Sequence, residues 1–229
     1  MINSIEIYFL LFLIYSFIGW GMEVIADLIR TKKFVNRGFL IGPCCPIYGV
    51  GVILITFLLE RYKTDTVITF VLTILLCGTL EYITSYLMEK LFNARWWDYS
   101  NHKFNINGRI SLAILLFFGI GGCFVIYVLN PIMLNYLCLI PGFVLNIISI
   151  IALIAIIIDT IVSFEIILDF KSATVQFKDS TEEISRKVKE IISQKSAAGK
   201  RLIDAFPDLE MIKTTIKNKI QEGKEAMKK

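Results

Sequence analysis

"IEIYFLLFLIYSFIGWGMEVIADLI", Ile5 to Ile29, decides the class of fold. The block exceeds the roughly 20 residues that cross a hydrocarbon core and is too long for a signal-peptide core of roughly 7–15 residues. No small-residue cleavage site follows it, so it reads as a retained membrane span. Glu23 and Asp27 sit inside it, and they need an explanation that lipid does not provide.

The rest of the chain repeats this character. Of its 229 residues 55% are hydrophobic, the mean hydropathy is +0.66, and the apolar residues come in long blocks rather than in short alternation. That excludes a soluble domain and predicts an all-α polytopic helical bundle. Five spans are expected, at about 5–29, 39–59, 66–89, 110–129 and 138–168. The predicted organisation is a transmembrane bundle over 1–169 and a basic cytoplasmic helical tail over 170–229. Cys44, Cys45, Cys77, Cys123 and Cys138 form no C-x-x-C pair and lie mostly in apolar runs, so they read as buried thiols, with no metal site and no cofactor indicated.

Basic residues set the orientation. Arg30, Lys32, Lys33 and Arg37 occupy the first loop and Lys90, Arg95, Lys103 and Arg109 the third, against Arg61 and Lys63 alone in the second. The bias predicts a cytoplasmic first loop, third loop and C-terminus, with the N-terminus and Asn135 outside.

Shifting the sequence by 58 positions aligns Glu23 with Glu81, Ile25 with Ile83, Lys32 with Lys90, Phe34 with Phe92 and Arg37 with Arg95. These identities fall on two spans and their exit loops, which suggests a parallel two-span repeat related by an axis along the membrane normal. Gly19, Glu23 and Asp27, and likewise Cys77, Glu81, Ser85 and Glu89, recur every four residues, which places each set on one helix face. Small and polar faces of this kind are expected to point into a bundle.

Glu23 and Glu81 lie about 10–14 Å inside the cytoplasmic boundary by helix rise. Carboxylates at that depth mark a functional site, with a structural ion pair that locks the helices as the alternative. Between the two copies stands "RGFLIGPCCPIYGVG", Arg37 to Gly51, whose glycines and prolines do not suit one regular helix. A helix from Pro46 to about Leu59 spans about 21 Å, short of a hydrocarbon thickness of about 30 Å, so Gly42 to Cys45 is expected to enter the membrane as irregular backbone. The alternative is a tilted helix begun by Pro46 with a surface loop before it. In "FNARWWDYSNHKFNINGRIS", Phe92 to Ser111, Trp96, Trp97 and Tyr99 suit interfacial anchors, while Asp98 between Arg95 and Arg109 predicts a charge-assisted hydrogen bond to an arginine. His102, alone in its type, reads as a surface residue.

Together "NRGFLIGPCCPIYGVG", "LEYITSYLMEKLF", "RWWDYS" and "FNINGRISL" resemble the CmpB-type family of bacterial permease-like membrane proteins, the type IV ABC-transporter family, over about residues 5–130. The resemblance implies a multi-span permease-like protein of the bacterial cytoplasmic membrane. The chain itself contains no G-x-x-x-x-G-K-[ST], so a nucleotide-binding subunit of such a system is expected to be a separate chain docked on the cytoplasmic loops.

From residue 170 the charge balance changes, to +5 over the tail against −1 over the first 169 residues. Ser180 and Glu183 form a capping-box pattern before Ile184, Val188, Ile191 and Ile192, and Pro207 separates it from Leu209, Ile212, Ile216 and Ile220. These amphipathic patterns suit membrane lipids or a partner helix; nucleic acid is not an expected partner, and the sequence leaves homo-oligomerisation open. The leading reading is an integral membrane permease-like transport component. Its cytoplasm-facing polar site takes Glu23, Glu81 and Tyr48, with Arg37, Arg95, Asp98, Arg109, Trp96 and Trp97 at its mouth. A membrane-embedded enzyme acting on a lipid or phosphorylated head group, and a membrane scaffold or regulatory partner, are the competing readings.

Overall fold

The computed structural model describes residues 5–92, 94–175, 197–205 and 210–211. It is an all-α membrane bundle. Among the described residues four helices are long and apolar enough to cross a membrane: α1 (Ile5–Thr31), α3 (Thr66–Phe92), the composite Leu112–Cys138, and Gly142–Ile166, which is the first part of α6 (Gly142–Val175). α2 (Pro46–Leu59) has 14 residues, about 21 Å of rise, and starts with Pro at a position whose N–H would have no helical partner anyway.

The short α2 follows an irregular segment that runs back along α1. The Cys45 N–H donates to the Ser16 carbonyl at 3.0 Å, and Ser16 lies fifteen residues, about 22 Å, before the end of α1. The chain therefore covers that depth without a helix, as the glycine and proline content predicted. Its polar groups are satisfied from two sides. Trp20 Nε1 on α1 donates to Asn36 Oδ1 at 2.6 Å, and Asn36 Nδ2 donates to the Ile41 carbonyl at 2.9 Å. From α6, Asp159 accepts the N–H groups of Ile41 at 2.8 Å and Gly42 at 2.9 Å.

The fourth span differs from the sequence expectation. Instead of ending near residue 129 in a loop that holds Asn135, the chain passes from α4 (Leu112–Phe124) through a π-helical turn (Val125–Leu129) into α5 (Asn130–Cys138). The wider turn removes the clash that Pro131 would make with the carbonyl four residues earlier, so the helix continues past residue 129. Reversal comes at Leu139–Pro141 instead.

Away from the irregular segment the core joins Ile7, Leu10, Leu11 and Tyr15 of α1 with Val52 of α2, Leu137 of α5 and Leu145 of α6. A buried polar chain crosses it, from Tyr15 Oη to Asn130 Oδ1 at 2.7 Å and from Asn130 Nδ2 to Thr56 Oγ1 at 2.7 Å. Thr56 in turn donates to the Val52 carbonyl, so each hydroxyl has a partner and the network fixes α1, α2 and α5 in register. At the opposite end Phe39, Phe92, Trp96 and Phe164 form an aromatic cluster with centroid distances of 5.4–6.1 Å. The two copies of the sequence repeat differ here: Phe92 is buried in that cluster whereas Phe34 is exposed.

α6 continues beyond residue 169 to Val175. Beyond it, α7 (Ala197–Ala205) and a two-residue strand β4 (Glu210–Met211) are described, and β4 pairs antiparallel with β1 (Ala94–Arg95). The amphipathic patterns expected around Ser180–Ile192 and Leu209–Ile220 lie outside the described residues, apart from the two residues of β4.

Candidate functional site

Glu23 and Glu81 belong to the polar faces of α1 and α3, and Tyr48 comes from the first turn of α2, just beyond the irregular segment. The Tyr48 hydroxyl donates to Glu23 Oε1 at 2.6 Å. Its ring lies on Gly19, one turn before Glu23, and a Cβ at position 19 would fall on that ring. A glycine there is what lets a tyrosine from α2 reach the carboxylate on α1. Glu81 is within electrostatic reach of both Glu23 and Tyr48. A phenol from α2 thus bonds to an acid on α1, with a second acid on α3 within their electrostatic field.

The segment between α3 and α4 is ordered by a different acid. Glu89 Oε2 on α3 accepts from Arg95 Nε at 3.2 Å and pairs with Arg109 Nη2 at 2.9 Å. Arg109 is buried, donates also to Ser85 Oγ at 3.3 Å, and lies over the rings of Tyr82 and Tyr86. The arginines therefore converge on Glu89 rather than on Asp98, which approaches Arg95 at 3.6 Å, outside hydrogen-bond distance. Asp98 instead accepts the N–H of Ser100 at 2.9 Å and the Ser100 hydroxyl at 2.6 Å. Burial alone would raise its pKa, but the Ser100 hydrogen bonds and the Arg95 charge outweigh it and hold the carboxyl below its usual range.

Short strands β2 (Asn105–Ile106) and β3 (Ile110–Ser111) close the segment as a hairpin with Ile106 opposite Ile110. Asn107 and Gly108 both take positive φ, at 54° and 67°, the Asn-Gly signature of a tight hairpin turn. Gly108 is constrained twice, since a Cβ there would also fall on Asp98 Oδ1 and Ser100 Oγ. Trp96 is buried in the aromatic cluster rather than standing at a lipid interface, and Trp97 Nε1 donates to the Arg109 carbonyl at 3.3 Å. His102 is exposed, with its ring edge-on to Tyr99.

Three participants were not singled out from sequence as part of a site. Asp159 caps the irregular segment, and its signal was a carboxylate, one of two with Glu165, interrupting an apolar span while nearby irregular backbone needed hydrogen-bond partners. Glu89 ended the stripe through Glu81 and Ser85, one face with the arginine loop just beyond it. Tyr99 lies in the electrostatic field of Glu81, Glu23 and Arg37; burial first, then the two carboxylates, push its phenol pKa up. Arg37 donates to the Ala205 carbonyl.

A family model described as "Putative ABC-transporter type IV" matches residues 10–164. The chain belongs to this family. No curated protein and no solved structure matches it. The type IV family match takes in Glu23, Tyr48, Glu81, Glu89 and Asp159, so the polar cluster and both of its supports lie inside the family region, whereas α7 and β4 lie beyond it. With its membrane-spanning helices, membership makes the chain a multi-pass membrane protein of a transport-related family.

Proposed function

We propose that this chain is a permease-like transport component of the bacterial cytoplasmic membrane whose polar site, Glu23 with Tyr48 and Glu81, opens toward the cytoplasm. The observation that carries the reading is the Tyr48–Glu23 hydrogen bond at 2.6 Å, made beside Glu81 where α2 starts part-way along α1. Intramembrane carboxylates that face one another repel, and a cation or a proton bound between them relieves that repulsion. Such a pair suits a cationic or proton-coupled solute better than an anion. Arg95 and Arg109, held by Glu89, and Asp98 and Trp97 within the same loop shape the mouth, and Trp96 packs that loop against Phe39 and Phe164. A separate nucleotide-binding subunit, if it drives the cycle, docks on the loops at this end.

The test is substitution of each acid by Gln, which keeps shape and hydrogen-bonding capacity and removes charge. Glu81→Gln is expected to abolish solute uptake or proton flux in proteoliposomes while the protein still inserts and purifies as a monodisperse particle; Glu23→Gln weakens flux similarly. Full flux through both variants overturns the reading.

A further inference from the structure

Two separate pieces of the tail grip the two loops that leave α1 and α3. On the first loop, Arg201 of α7 donates through Nη2 to the Gly38 carbonyl at 3.0 Å and to the Leu40 carbonyl, while Arg37 donates to the carbonyl of Ala205, which is itself fully buried. On the second loop, β4 pairs in register, Ala94 with Met211 and Arg95 with Glu210. Arg37 and Arg95 are equivalent under the 58-residue repeat, so the tail lies across corresponding points of both copies.

The gripped loops are those that lead to the polar site. Gly38 sits over the Cys45 thiol, with its would-be Cβ 3.1 Å from Sγ, and Cys45 immediately precedes the helix that carries Tyr48. The first loop bonds to α1 through Asn36 and Cys45 and to α6 through Ile41 and Gly42, and Arg201 donates to it from the tail. From these contacts we infer that α7 and β4 act as a built-in strap that closes the cytoplasmic entrance to the Glu23–Tyr48–Glu81 site, and that its release opens the entrance. The inference rests on the reading of those three residues as a site open to that end. The strap lies outside the region that the family model matches.

The experiment uses the full chain in membrane vesicles, with Cys45 as the only native cysteine retained. Ala94→Cys with Met211→Cys places a thiol pair at facing strand positions, within the usual reach of a disulfide. The pair is expected to cross-link on mild oxidation, and the cross-linked strap to protect Cys45 from a water-soluble maleimide. In a second variant, Arg201→Glu without the introduced pair, Cys45 is expected to react faster by roughly tenfold, the scale of losing a charged hydrogen-bonding group. Absence of the cross-link overturns the docking, and equal Cys45 reactivity in the locked protein and in Arg201→Glu overturns the closing role. Neither readout depends on flux, so failure of the strap leaves the transport reading to its own test.

Discussion

Asp159 holds the N–H of Gly42 at 2.9 Å, and with the same carboxylate it holds the N–H of Ile41 at 2.8 Å. One carboxylate on α6 thus does for the irregular segment what a helix would have done for itself. Asp159→Ala strands the Gly42 donor, at roughly 1–3 kcal/mol, and leaves the Ile41 N–H with Ser163 Oγ at 3.2 Å. A thermal melt in detergent is expected to show the variant markedly less stable than wild type, with Asp159→Asn intermediate because one acceptor oxygen survives. A melting temperature unchanged in Asp159→Ala would mean that the segment is held by other contacts.

Glu89 is expected to matter more than Asp98 for the loop before α4. Glu89→Gln removes the charge on which Arg95 and Arg109 converge and leaves the buried Arg109 guanidinium without an anion. Loss of a charged hydrogen bond costs roughly 1.5–3 kcal/mol. Limited proteolysis between residues 95 and 111 should accelerate in Glu89→Gln and change little in Asp98→Asn; the reverse order would return the organising role to Asp98.

The Asp98 carboxyl is held below its ordinary value in the folded chain, with burial outweighed by Ser100 and Arg95. A depressed carboxylate contributes stability above its unfolded pKa, and that contribution disappears as pH falls through the folded value. The loop is therefore expected to loosen only below about pH 4, the ordinary Asp range. Trp97 fluorescence reports it, and Asp98→Asn should remove the acid transition; a transition that persists in that variant assigns it elsewhere.

Orientation is testable without any substrate. The basic residues of the first and third loops predict that a cysteine at His102 is labelled from the cytoplasmic face and one at Asn135 from the outside. Labelling of position 102 from outside would invert the proposed site along with the loops.

Much of this architecture was legible because its causes are local. Block hydropathy marks a span wherever twenty apolar residues occur together, and Pro46 announces a helix start whatever surrounds it. The 14-residue α2 and the irregular stretch before it follow from glycine and proline positions alone. What stayed hidden depends on partners distant in sequence. Asn130 and Pro131 look like a loop until a π-helical turn absorbs the proline and Tyr15 and Thr56 bind the amide. Asp98 lies closer in sequence to Arg95 than Glu89 does, yet the α3 face delivers Glu89 to both arginines. Periodicity placed Glu23 and Glu81 on inward faces, but that Tyr48 would bond to one of them required knowing how far back α2 begins along α1.

That placement of Tyr48 rests on Gly19, which gives the last prediction. Gly19→Ala puts a methyl into the Tyr48 ring, and overpacking of this kind costs roughly 1–3 kcal/mol or moves the ring aside. If the contact is the cause, the penalty should largely vanish in a Tyr48→Ala background, because two residues in direct contact are not additive. Tyr48→Phe separates packing from hydrogen bonding: the ring remains on Gly19 and only the donor to Glu23 is lost. Gly19→Ala is then expected to cost as much in Tyr48→Phe as in wild type and little in Tyr48→Ala, measured by thermal melts of wild type, the three single variants and the two double variants. Additivity throughout would break the link between the glycine on α1 and the tyrosine on α2, and with it the account of how Glu23 acquires its partner.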